Sequence, residues 1–112
     1  MEKVDLAKTP QPPYYAVIFA SVRTAHGNED YARAADRMAQ LASVQPGYLG
    51  VDSVRDANGV GITVSYWTSE AAISAWRHNA EHTIVREQGR KSWYQEYELR
   101  VAKIERAYGF KV

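Results

Sequence analysis

Residues 48–67, YLGVDSVRDANGVGITVSYW, constrain the fold more than any other part of the chain. Tyr48, Gly50, Asp52 and Val54 alternate with Leu49, Val51 and Ser53. Ile62, Val64 and Tyr66 alternate with Thr63, Ser65 and Trp67. A period of two places successive side chains on opposite faces of a strand. Between the two runs stands Asp56-Ala57-Asn58-Gly59, and Asn-Gly tolerates the positive φ that a tight hairpin turn needs. The segment therefore predicts an antiparallel hairpin.

What flanks the hairpin limits the topology. YYAVIFASVR, from Tyr14 to Arg23, is rich in β-branched and aromatic residues and reads as a strand. TAHGN reads as a turn, with Asn28 as the cap of a helix to about Ser43. Tyr31, Ala34, Ala35, Met38, Leu41 and Ala42 recur at helical spacing and give that helix one apolar face. Gln45-Pro46-Gly47 stops it, because proline offers no N–H. Past the hairpin, Thr68 or Ser69 caps a second helix with Ala72, Ile73 and Trp76 on its apolar face. A further helical segment is expected over about 80–89, then a loop or short turn at SWYQEY, then a last strand in YELRVAKIERAYGF.

The order is β-α-β-β-α-β, an α+β ferredoxin-like split β-α-β arrangement with an antiparallel sheet. Both helices fall on one face of such a sheet. The other face needs a cover, and a second copy of the same sheet is the simplest one. A homodimer through the open sheet face is the expected assembly.

With 112 residues the chain holds a single domain, expected over residues 14–112, behind a flexible N-terminal segment at 1–13. That segment carries three prolines and lacks the apolar core of a signal peptide. The net charge is +1 with no basic run, so nucleic acid is not an expected partner. No apolar stretch reaches membrane-spanning length, so no membrane partner is expected either. There is no cysteine, which excludes thiol catalysis and disulfides and fits a cytoplasmic location. Glycine-rich phosphate loops and serine nucleophile elbows are missing as well.

His78-Asn79-Ala80-Glu81-His82 fits the H-x-x-E-H pattern of a zinc peptidase. On one continuous helix, however, the histidines would lie opposite the stripe of Ile73, Trp76, Ala80 and Ile84, facing solvent. Asn79 is a better cap than a helix-interior residue, and Glu81 suits the positive end of a new helix. A break there destroys the i, i+4 geometry, and no third ligand stands at a familiar spacing. No metal site is expected. His78 becomes a surface residue, and His82 is the histidine to test for chemistry.

QPGYLGVDSVR, GITVSYWTSEAAISAWRHNAEH and the closing YELRVAKIERAYGF resemble the antibiotic biosynthesis monooxygenase family of dimeric α+β barrels, and the likeness runs over about residues 14–110. The resemblance implies a pocket between helices and sheet, and oxidation of a small aromatic or phenolic compound by O2 with neither metal nor flavin. In such chemistry the deprotonated substrate itself passes an electron to O2, and the protein supplies a base, an apolar cavity and exclusion of water. His82 is the candidate base, since its ordinary pKa near 6.5 allows proton transfer close to neutrality. Trp76, Trp67, Tyr66, Trp93 and Tyr94 are the candidate substrate-binding rings. Core and dimer packing is the commoner use of each. Haem-degrading relatives carry a histidine ligand ten residues beyond the helix tryptophan, where this chain has Arg86, so haem is not expected and no cofactor is assigned. Fold alone does not establish catalysis. A non-catalytic small-molecule-binding or stress-related dimeric domain is the alternative.

Overall fold

The structure is a computed structural model, and residues 5–79 and 86–112 are described. Its elements are β1 (Tyr14–Arg23), α1 (Asn28–Ser43), β2 (Tyr48–Arg55), β3 (Val60–Trp67), α2 (Glu70–Arg77), a π-helical turn (Gly89–Trp93) and β4 (Tyr94–Ile104). The sheet has the order β2-β3-β1-β4, with every pairing antiparallel. This is the expected ferredoxin-like arrangement. The two central strands, β1 and β3, hold Ala16 and Trp67, which are 1% and 0% exposed.

Several boundaries differ from the sequence reading, each for a local reason. Asn28 is the first residue of α1, not its cap; Gly27 caps it at φ 64°, in the left-handed region that glycine favours. The Asn28 side chain instead accepts a hydrogen bond from Arg23 at 2.8 Å. Ser69 caps α2 by accepting the N–H of Ala72 at 3.1 Å. Of SWYQEY, Ser92 and Trp93 lie in the π-helical turn, but β4 already begins at Tyr94. A bulge between Val22 and Arg23 lets the β1–β4 ladder continue to the pair Arg23–Tyr94. At its other end β4 stops at Ile104, opposite Tyr14, where β1 begins and the partner strand runs out. The helical segment expected over 80–89 lies partly outside the described residues; helical geometry is described at 86–88.

The strict alternation read in β2 also fails at one point. A bulge lies between Tyr48 and Gly50, so Tyr48 pairs with Trp67 and Gly50 with Tyr66. Tyr48 and Val51 consequently share the helix side of the sheet, although three positions apart. Gly47, at φ 87°, makes the turn into β2 close against α2: a Cβ there would stand 2.6 Å from the Ala72 Cβ.

The core lies under α2. Val17, Trp67, Ile73 and Trp76 form one buried cluster, with the Trp67 and Trp76 rings stacked at 6.2 Å. α1, although amphipathic, buries no residue completely. On the opposite face of the sheet Val54, Val60 and Ile62 are exposed. Tyr14 is buried on that face, where the lead-in crosses it. Ala7 N–H donates to Asp52 at 2.7 Å, and Thr9 donates to the Tyr14 hydroxyl at 3.0 Å. The lead-in thus makes contacts with its own sheet.

Candidate functional site

Between α1 and the sheet lies a cavity of about 370 Å³. It exists because α1 presents small residues downward. Ala34, Ala35, Ala39 and Ala42 line its roof together with Met38 and Tyr31. Alanines do not reach the sheet, so the space beneath them stays open. The floor is the helix-facing set of the strands: Val17 and Phe19 of β1, Val51 and Ser53 of β2, Thr63, Ser65 and Trp67 of β3, Tyr97 and Leu99 of β4.

Aromatic rings close the two ends. At one end Trp67 stacks on Trp76 and receives the edge of Tyr48 at 5.5 Å. The Trp67 indole N–H donates to Ser65 at 2.9 Å, which satisfies the one polar atom of a fully buried ring. At the other end Tyr31 meets Trp93 and Tyr94 edge-on at 5.9 and 5.7 Å, and Phe19 packs against Tyr94 and Tyr97 at 5.4 Å each. Trp93 is fixed by its backbone. Its carbonyl accepts from Thr24 N–H at 2.9 Å and from the Arg23 guanidinium at 2.5 Å. Gly27 leaves room for the indole, since a Cβ there would stand 3.0 Å from Trp93 Nε1.

Four of the five expected rings therefore line the cavity: Trp67, Trp76, Trp93 and Tyr94. Tyr66 does not, and its assignment is corrected. It neighbours Trp67 on a regular strand, so the two side chains point to opposite faces. Tyr66 lies on the outer face, donating to Asp52 at 2.9 Å and meeting Tyr14 edge-on at 5.9 Å. Burial, with the adjacent Asp52 carboxylate, pushes its pKa up to about 12. Trp93 and Tyr94 escape this alternation because Trp93 belongs to the π-helical turn and only Tyr94 to the strand.

His82, the candidate base, lies outside the described residues. His78 caps the C-terminus of α2 and is exposed, its Nδ1 2.7 Å from the Ser74 carbonyl oxygen. Among the described residues no group of three or more His, Cys, Asp or Glu side chains is placed to hold a metal ion.

Sequence reasoning missed the cavity's polar groups. Tyr31 stood out only as part of an apolar helix face. Tyr48 and Tyr97 stood out only as residues of the strand sequences, and both line the cavity. Arg86 stood out only as the residue in place of a haem-ligating histidine. It lines the cavity, and its buried Nε has no hydrogen-bond partner among the described residues. Among those residues the wall carries no carboxylate. Such a wall favours neutral or anionic occupants over cations. Burial also raises the pKa of Tyr48 and, together with the nearby Tyr31 hydroxyl, that of Tyr94.

Residues 13–88 match the family model described as antibiotic biosynthesis monooxygenase. The chain belongs to that family. It is 56% identical over 101 residues to the uncharacterised protein YqjZ of Bacillus subtilis, covering 90% of this chain and 88% of YqjZ. Among solved structures, Rv0793 from Mycobacterium tuberculosis superposes with a TM-score of 0.72 at 18% identity, over 85% of this chain and 99% of that one. SnoaB from Streptomyces nogalater, described as a cofactor-independent oxygenase, superposes with a TM-score of 0.71 at 13% identity, over 86% and 97%. At such identities the structural matches establish the fold of this family member. Among the described residues no helix is long and apolar enough to cross a membrane.

Proposed function

We propose that the cavity binds a small aromatic or phenolic compound and oxidises it with O2, using neither metal nor flavin. The observation that carries this reading is the cavity itself: about 370 Å³, within the usual ligand-site range, walled by rings and holding phenol hydroxyls. Membership of the monooxygenase family and the likeness to SnoaB support it. For an anthrone-type substrate, one oxygen atom becomes the new ring carbonyl. The other leaves as water with the two hydrogens of the oxidised methylene. The protein's part is to remove a proton, hold the resulting anion and exclude bulk water, so that the electron-rich anion meets O2 in an apolar space. In this reading His82 takes the proton, and Trp67, Trp76, Trp93 and Tyr94 hold the planar ring system.

The protein is a homodimer in the same reading, joined through the outer sheet face. Val54, Val60 and Ile62 are exposed there as an apolar strip that a second sheet would cover. Size-exclusion chromatography at micromolar concentration should show a dimer, and a monomer would refute that part.

The test of the reaction is O2 consumption with a panel of anthrones and hydroquinones. Enzyme-dependent uptake is expected for at least one of them, reduced at least tenfold by His82→Ala. Tight binding across the panel without O2 uptake would refute the oxygenase and favour the non-catalytic binding domain. An unchanged rate in His82→Ala would remove that residue from the mechanism.

A further inference from the structure

We propose that Tyr31 and Tyr94 form a hydroxyl pair that holds the ionised oxygen of a phenolic or enolic ligand, with Arg55 positioning Tyr31. This rests on the reading that the cavity takes such a ligand, and it names the subsite. Both tyrosines line the cavity, at the end closed by Trp93. Their hydroxyl oxygens lie 3.4 Å apart, beyond the ordinary length of an O–H···O bond. Neither therefore satisfies the other well, and an oxygen accepting from both would complete the site.

The charges around the pair favour an anion. Arg55 donates to the Tyr31 hydroxyl oxygen at 3.2 Å. Its other contacts are the Ser21 hydroxyl at 2.9 Å and the Gly59 carbonyl at 2.5 Å. Arg23 places its guanidinium carbon 3.8 Å from the centre of the Tyr31 ring and bonds the Trp93 carbonyl and the Asn28 amide. Neither arginine meets a carboxylate among the described residues. Two cations thus bear on one phenol, with no acid among the described residues to offset them. With Arg55 occupying a lone pair of the Tyr31 oxygen, the Tyr31 proton is left for donation into the cavity. Tyr94 is kept protonated by burial and by the Tyr31 contact, so it too arrives as a donor.

Among the described residues, the titratable and charged groups facing the pair are Arg23 from β1, Arg55 from β2 and Tyr97 from β4, and Arg86 lines the same cavity. Tyr97 accepts from Arg90 at 2.8 Å. None of these is an acid. Donors fixed in advance in an apolar surround stabilise a developing oxyanion without reorganising at the moment of reaction. Arg55 acts through Tyr31 and does not itself line the cavity.

The probe is 4-nitrophenol, whose visible absorption distinguishes phenol from phenolate. It is titrated with pH on the intact protein under anaerobic conditions, so the subsite is read apart from any oxidation. The bound probe is expected to ionise about one pH unit lower than the free probe, a tenfold preference for the phenolate. Tyr31→Phe and Tyr94→Phe should each abolish most of that shift, and Arg55→Gln should reduce it. All three should bind nitrobenzene, which lacks the hydroxyl, as the wild type does. Tyr66→Phe, on the opposite face, should leave the shift intact. The proposal is overturned if 4-nitrophenol fails to bind, if its pKa does not fall on binding, or if both Phe variants keep the full shift. An oxygenase lacking this subsite would still consume O2, and a subsite without the oxygenase would still shift the probe.

Discussion

Truncating Ile73 and Met38 in parallel tests whether α1 stands over open space while α2 carries the core. Both changes to alanine remove three heavy atoms from a helix that faces the sheet. Ile73 is 4% exposed and packs in the cluster with Trp67 and Trp76. Losing three buried carbons costs about 2.4 kcal/mol in transfer free energy at ~0.8 per group, and the void left in close packing raises this to ~3–4 kcal/mol. Met38 is half-buried and borders the existing cavity. Its removal enlarges a space already open, so the added-void contribution is small and the total is about 1 kcal/mol. Urea unfolding followed by tryptophan fluorescence gives both values from the shift in midpoint at constant slope. For a domain of this size the Ile73 variant should also melt ~10–20 °C lower, against roughly 5 °C for Met38. Equal losses would refute the reasoning, since they would mean that α1 is packed against the sheet as tightly as α2.

Two further perturbations follow from single contacts. Gly47→Ala should destabilise by about 2 kcal/mol or more in the same assay, because the new Cβ would stand 2.6 Å from Ala72 Cβ at a φ of 87°; a change below ~0.5 kcal/mol would show the turn to be loose. The Tyr66 phenol is held neutral in the folded state up to about 12, while an unfolded tyrosine ionises near 10.0, so stability present below pH 10 declines from there through about pH 12. Tyr66→Phe should flatten that part of the stability–pH curve, and an identical alkaline decline in the variant would reject the assignment.

The fold was legible because its signals were local. The Asn58-Gly59 turn between two alternating runs specifies a hairpin by itself, and a strand-helix pair on either side leaves few topologies. Residues that depend on distant partners were not legible. Asn28 looked like a cap, but Arg23 takes its side chain, and Gly27 supplies the left-handed turn beside the Trp93 indole. β4 starts at Tyr94 only because a bulge at Gln95, opposite Val22 and Arg23, allows the extra pair. At the site, Trp67 and Trp76 were legible as the large rings at the end of a strand and on the apolar stripe of a helix. Choosing Tyr66 beside Trp67 overlooked that neighbours on a strand face opposite ways, a rule available from the sequence itself. Tyr31 was hidden for the opposite reason. Its spacing marks a helix face, and nothing in a one-dimensional pattern shows that two arginines from β1 and β2 converge on its ring and hydroxyl.

The two ends of the cavity differ in how their polar groups are satisfied. At the α2 end, rings stack on one another, the indole N–H is satisfied internally, and the contacts are those of a core. At the α1 end, the Tyr31 and Tyr94 oxygens sit just beyond bonding distance from each other, and Arg23 and Arg55 meet no carboxylate among the described residues. A protein built only for stability would fill the space under Ala34, Ala35, Ala39 and Ala42 with larger side chains, because each buried methylene is worth about 0.8 kcal/mol. The alanine roof gives up that stabilisation along most of α1. The loss is tolerable because Ile73, Trp76, Trp67 and Val17 form a buried core between the sheet and α2, against which α1 packs only its half-buried Met38, Leu41 and Ala42. Filling the roof with leucines at the half-buried Ala34 and Ala42 should therefore raise stability while abolishing the proposed ligand binding. That opposition would not arise if the space under α1 were merely an imperfection of packing.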